Sequence, residues 1–163
     1  RRCDKKFDVI IVDLFWGDNV PDYLMTKEFF LNLRDCLKEK GPVIMNTVFD
    51  EFDKEPNFRL MATVAYAFPN IFLSGIEGGN IFIVGTSERM PDKYQVESTD
   101  VYARVARTVK MSVTEVRKIS PFLLVDWEPF SDDHNVYSVL FSDANLKERK
   151  KLVKSMPPRM LVN

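Results

Sequence analysis

Asp13 and Asp18 are the residues whose type and position could do chemistry. Asp13 lies near the end of an almost unbroken apolar run, Phe7 to Leu14, that is β-branched at Val9, Ile10, Ile11 and Val12. This is the pattern of a strand buried on both faces, and it predicts an interior parallel strand. The turn formers Gly17, Asp18, Asn19 and Pro21 follow, just past the strand's carboxyl end, where open α/β sheets hold their ligands. A carboxylate there is a candidate working group; the alternative is an Asp13 that only caps the turn or binds neighbouring backbone amides. A second polar cluster comes late, in Pro129-Phe130-Ser131-Asp132-Asp133-His134-Asn135. Its His134 is the single histidine of the chain, and it serves either as an acid, base or substrate contact or as a surface hydrogen-bonding residue. Trp16 and Tyr23 can stack on a ligand or cover the sheet edge, and packing is the preferred reading for Tyr23.

The elements that must position these groups follow in order. Thr26 is an N-cap with Glu28 in the first turn, and Phe29, Phe30, Leu33 and Leu37 recur at helical spacing until Gly41-Pro42 stops the helix. Val43 to Val48 is a second apolar strand, parallel to the first across a right-handed crossover. An acidic loop, Phe49 to Pro56, carries Asp50, Glu51, Asp53 and Glu55; it either lines the same pocket as Asp13 or is solvated surface. From Phe58 the apolar positions Leu60, Met61, Val64, Ala65 and Phe68 predict a helix ending before Pro69. Ile71 to Leu73 and Ile81 to Val84, separated by Gly75, Gly78, Gly79 and Asn80, predict an antiparallel hairpin. These glycines sit between strands and open no helix, so they are no phosphate cradle. Beyond Gly85 the sequence predicts a polar link to Thr99, a helix over Asp100 to Lys110, and a second small helix from Ser112 or Thr114. An apolar stretch from Ile119 to Trp127, a strand or extended segment over Val136 to Phe141, and an exposed basic tail complete the chain. Residues 1–86 are expected to form the compact α/β unit and residues 87–163 an extension of the same domain.

With 163 residues and a formal charge of -1, the chain can bury one core and shows no global preference for nucleic acid or anionic membrane. Its apolar runs are too short to span a bilayer. Cys3 and Cys36 have no CxxC spacing and no second cluster that could hold a metal, so they are expected to be free thiols in a reducing, intracellular setting, cytoplasmic before organellar. The opening Arg1-Arg2-Cys3-Asp4 has no initiator methionine and runs at once into a buried strand, as the middle of a longer or split protein would.

FDVIIVDLFWGDNVPDYLMTKEFFLNLRDCLKEKGPVIMNTV resembles the second half of a class I S-adenosylmethionine-dependent methyltransferase fold, and within it the spermidine synthase-like branch. The likeness rests on a strand ending in Asp, a G-D-x-x-P-like loop, a T-x-E-F-F helix start and a K-x-G-G-like stop before the next strand. PFSDDHN is similar to the T-D-D segment near the end of that branch's proteins. The resemblance implies a Rossmann-like, mostly parallel sheet, here its C-terminal half, in which the last strand inserts antiparallel and closes a terminal hairpin.

The same resemblance implies an aminopropyl or methyl transfer from decarboxylated S-adenosylmethionine or S-adenosylmethionine to an amine. Asp13 and Asp18 would be the catalytic pair, and Trp16, Asp132, Asp133 and His134 the substrate contacts. An amine that attacks the carbon next to a sulfonium must be neutral, so Asp13 would position it and take its proton, with no metal required. Two departures stand out. Leu14, Phe15 and Trp16 occupy the place of the family's small hydroxyl-bearing residues, and the glycine-rich turn and ribose-binding acid of the nucleoside pocket are not in this chain. Cofactor-binding residues are therefore unassigned. The expected partners are an N-terminal half-domain, in cis or as a separate chain, and a small-molecule amine, in an oligomer with neither membrane nor nucleic acid. The other reading is a non-catalytic module of this fold used in protein interaction or assembly.

Overall fold

Val43, Met45 and Thr47 are buried while Ile44 and Asn46 between them are half-buried, so the second strand has one fully covered face and one partly open face. This alternation holds across a five-stranded sheet in the computed structural model, which describes residues 3–4, 6–14, 20–47, 54–75, 80–88 and 116–140 and the single positions 142, 150 and 154. The strands are β1 (Ile10–Val12), β2 (Val43–Thr47), β3 (Asn70–Gly75), β4 (Ile81–Thr86) and β5 (Arg117–Lys118), in the order β1-β2-β4-β3-β5. β1 pairs parallel with β2, and β4 lies antiparallel between β2 and β3. Hence β1, β2 and β3 run one way and β4 and β5 the other, the expected Rossmann-like arrangement with an inserted antiparallel strand. The β3–β4 hairpin is the predicted one.

Two helices pack on one face. α1 (Lys27–Cys36) is capped as predicted, with the Phe29 N–H donating to Thr26 Oγ1 at 3.2 Å, and it buries Phe30 completely. α2 (Lys54–Ala67) begins a turn earlier than Phe58, so Lys54 to Pro56 of the expected acidic loop belong to a helix. Pro56 fits within that first turn because the N–H it lacks would have no intrahelical partner there. Leu60, Val64 and Phe68 meet Met45, Ile83 and Ile71 in one core. Burying a side chain such as Phe30 contributes about 1.5–3 kcal/mol.

Several expectations are corrected. β1 is an edge strand in this chain, not a central one: no described strand pairs with its far side, Val12 is buried, and Ile11 is 69% exposed. Its apolar composition fits burial on both faces, yet only one is covered here. Cys3 and Cys36 are joined in a disulfide rather than free, which removes the thiol argument for a reducing compartment. Closing a loop of 33 residues is worth roughly 3–4 kcal/mol of unfolded-state entropy. The disulfide is reinforced where Phe7 N–H donates to the Cys36 carbonyl and Lys38 N–H to that of Phe7, both at 2.9 Å. Residues 137–140 are helical, not extended, because the Asn135 side chain accepts the Tyr137 N–H and Asp22 accepts the Ser138 N–H. Tyr23 covers no edge and is 69% exposed. The helices expected over 100–110 and from 112 or 114, the loop over 48–53 and nearly all of the tail lie outside the described residues. No described helix is long and apolar enough to cross a membrane.

Gly85 shows how tightly α2 seats on the sheet. A Cβ there would lie 2.9 Å from Phe68 Cδ2 and 3.0 Å from Val64 Cγ1. In a loosely packed strand Gly→Ala would be expected to stabilise by about 0.5–1 kcal/mol. Gly85→Ala is expected instead to destabilise by about 1–3 kcal/mol, as overpacking does, read as a lower urea midpoint at unchanged m-value.

Candidate active site

The register of the one parallel pair sets the site. Val12 lies opposite Met45, so the next residues, Asp13 and Asn46, fall side by side at the carboxyl ends of β1 and β2 and project from the same face. Asn46 Nδ2 donates to Asp13 Oδ1 at 3.1 Å. Asp13 is exposed and follows directly on the end of β1. Asn46 Oδ1, in contrast, is buried and accepts no hydrogen bond from the described residues.

The neighbouring wall is built by the late segment from Trp127 to Leu140, which is fastened to the start of α1 and to α2. Trp127 stacks on Phe58 at 5.4 Å, and Arg59 lies over the Phe130 ring at 4.5 Å while its Nε donates to the Glu128 carbonyl at 3.0 Å. Phe130 N–H donates to Thr63 Oγ1 at 2.9 Å, and the Phe130 carbonyl accepts from Lys27 N–H at 2.9 Å, just inside the N-cap of α1. Past the turn, the Asp22 carboxylate accepts both the Ser138 N–H and its hydroxyl, at 2.7 and 2.8 Å. Tyr137 is buried against Phe130 and hydrogen-bonds to Thr47, the residue after Asn46. The segment is thus held by hydrogen bonds to α2, to the first turn of α1 and to Asp22 just before it.

The predicted site residues separate into three groups. Asp13 stands at the strand end as expected. Asp132, Asp133 and His134 form an exposed turn closed by reciprocal Ser131 and His134 backbone hydrogen bonds, and the Asp132 N–H donates to Glu28 Oε2 at 3.1 Å. Among the described residues no hydrogen bond or ion pair joins this turn to Asp13. Trp16 and Asp18 lie outside the described residues. Reading by sequence missed Asn46, Asp22 and Tyr137; for Asn46 a signal existed, a lone amide interrupting the apolar run VIMNTV. Among the described residues no group of three or more His, Cys, Asp or Glu is arranged to hold a metal ion.

No family model matches the chain. It is 24% identical over 147 residues to the polyamine aminopropyltransferase of Vibrio vulnificus, across 87% of this chain and 46% of that protein. Among solved structures it is similar to a probable spermidine synthase from Corynebacterium glutamicum, with a TM-score of 0.56 and 20% identity over 80% of this chain and 49% of that one. A spermidine synthase from Thermotoga maritima gives a TM-score of 0.45 at 21% identity, over 75% of this chain and 45% of that one. The likeness to the Corynebacterium glutamicum structure shows the Rossmann-like methyltransferase fold, and the chain spans about half the length of the proteins it matches.

Burial of the Tyr137 phenol raises its pKa from the ordinary value of 10.0, and the hydrogen bond with Thr47 offsets this only in part. Above the ordinary tyrosine value the unfolded chain loses this proton while the folded chain keeps it, so stability falls as pH rises past about 10. Tyr137→Phe is expected to cost about 1 kcal/mol at neutral pH and to remove part of that alkaline slope, measured by urea unfolding between pH 7 and 11.

Proposed function

We propose that this chain is the acceptor-side half of an aminopropyl- or methyltransferase, acting on an amine with decarboxylated S-adenosylmethionine or S-adenosylmethionine as the donor. The observation that carries this reading is the exposed Asp13 carboxylate at the carboxyl end of β1, steadied by Asn46. The partial likeness to aminopropyltransferases supports it. The bound sulfonium supplies its own leaving group. As the amine nitrogen bonds to the carbon beside sulfur, the carbon–sulfur bond breaks, its electrons neutralise the sulfonium, and the surplus N–H proton passes to Asp13. Asp18 supports Asp13, and Trp16, Asp132, Asp133 and His134 contact the acceptor.

The nucleoside-binding half, in cis or as a separate chain, adds its sheet to the free edge of β1. No described strand pairs with that edge, and Val9 and Ile11 on and beside it are exposed. A second reading, a non-catalytic interaction module, is favoured by Leu14, apolar and exposed directly beside the would-be base.

Asp13→Asn in the protein carrying both halves is expected to lower turnover by roughly a hundredfold or more, with donor affinity and melting temperature nearly unchanged; Asp18→Asn acts in the same direction more weakly. A fall in melting temperature with turnover intact would make Asp13 a turn-stabilising residue. A protein that neither binds the sulfonium nucleoside nor turns over would establish the non-catalytic reading. This chain alone is expected to show no turnover.

A further inference from the structure

We infer that the Cys3–Cys36 disulfide is a redox latch: closed, it holds β1 and the Asp13 that follows it in register, and opened by a dithiol, it loosens this strand ahead of the rest of the sheet. β1 pairs with one described neighbour over three residues, whereas β2, β3 and β4 each lie between two. Before β1, residues 7–10 run beside residues 36–43 in a thin parallel ladder. The Phe7 N–H donates to the Cys36 carbonyl and the Lys38 N–H to that of Phe7, both at 2.9 Å, and the Ile10 N–H donates to the Pro42 carbonyl at 3.1 Å. The side-chain contacts along this ladder are exposed. Lys38 Nζ meets Asp8 Oδ1 at 2.7 Å with both side chains more than half exposed, and Lys6 donates to the Asp35 carbonyl. Surface contacts of that kind hold a strand weakly.

The disulfide closes the outer end of the ladder. While it is intact, the segment from Cys3 to Val12 is fastened at both ends, so an opening of β1 makes a small loop whose ends stay together and re-pair. Without it, the same segment peels from one end. Peeling reaches the site, because Asp13 meets Asn46 only while Val12 lies opposite Met45. The bridge is also placed to be opened: Cys3 is exposed, and Cys36, the last residue of α1, is half-buried. A thiolate of a Cys-x-x-Cys dithiol attacks the accessible Cys3 Sγ; the S–S bond breaks, its electron pair leaves on Cys36 Sγ, which takes a proton, and a mixed disulfide forms. The second thiol of the reductant then attacks the mixed disulfide, releases Cys3 as a thiol and closes the reductant's own disulfide. Two electrons and two protons pass from the dithiol to the bridge, and a disulfide oxidant reverses the exchange.

The test is amide hydrogen exchange under native conditions on the full-length protein, oxidised and after dithiothreitol, with Cys3→Ser and Cys36→Ser as two independent permanently open forms. On reduction, exchange over Ile10 to Val12 is expected to rise at least about tenfold more than exchange over Ile83 to Gly85 of β4. Both variants are expected to match the reduced protein and to ignore dithiothreitol, and oxidised glutathione is expected to restore slow exchange in wild type alone. Turnover of the proposed amine transfer is expected to fall on reduction and to return on re-oxidation. A rise by the same factor in β1 and β4 makes the disulfide a staple of the whole fold and overturns the inference. Exchange over β1 that reduction leaves unchanged, or a bridge that dithiothreitol leaves closed in the folded protein, overturns it as well. None of these results touches the transferase reading, and a protein without turnover leaves the exchange comparison to decide.

Discussion

The parallel pairing of β1 with β2 is the constraint on which the rest of the site depends. Because side chains alternate with a period of two, the pairing of Val12 with Met45 fixes both the face and the height at which Asp13 and Asn46 emerge. A slip of one residue would turn Asp13 into the helical layer and bring Val12 into water. The fold resists that slip on one side through β2, which is locked in turn between β1 and β4, and through α2, which seats Phe68 and Val64 against Gly85 with no room for a methyl group. Before the strand, the backbone hydrogen bonds at Phe7 and the Cys3–Cys36 disulfide hold the approach to β1 against the end of α1.

The late segment depends on the same frame but is held by different forces. Its apolar anchors are few: Leu124, Phe130 and Tyr137 are buried, while Phe122 is almost wholly exposed. What fixes it is a series of polar contacts whose partners are already ordered by the helices, from Thr63 on α2 to Lys27 in the first turn of α1 and Asp22 just before it. Each is worth about 1 kcal/mol, so the segment is placed by their number and not by any one of them. This arrangement brings Tyr137 to Thr47, next to the Asn46 of the site, and couples the end of β2 to a stretch of chain some ninety residues later.

β1 combines two properties that do not agree within this chain. It has the composition of a strand buried on both faces and the position of a strand at an edge. The chain also spans about half the length of the proteins it matches.

Much of the α/β frame was legible from the sequence because local rules decide it. The β-branched run ending at Asp13, the Thr26 cap and the glycine-separated hairpin each carry their own short-range signal and stand where they were expected. The first helix, in contrast, ends at Cys36, short of Gly41-Pro42, because Leu37 turns extended and pairs with Phe7. The order of the strands was not so determined. An apolar run reports that a strand is suited to burial, but whether anything covers its second face depends on chain that the run itself does not contain. The helix at 137–140 replaced an expected extended segment because its start is capped by Asn135 and by Asp22, more than one hundred residues earlier. The Cys3–Cys36 pairing likewise depended on the crossover returning α1 beside the start of β1. Asn46 was visible as a lone amide in an apolar strand, but its meaning came only from the register that set it beside Asp13, since a hydrogen bond between residues 33 positions apart is a property of the folded sheet and not of either strand.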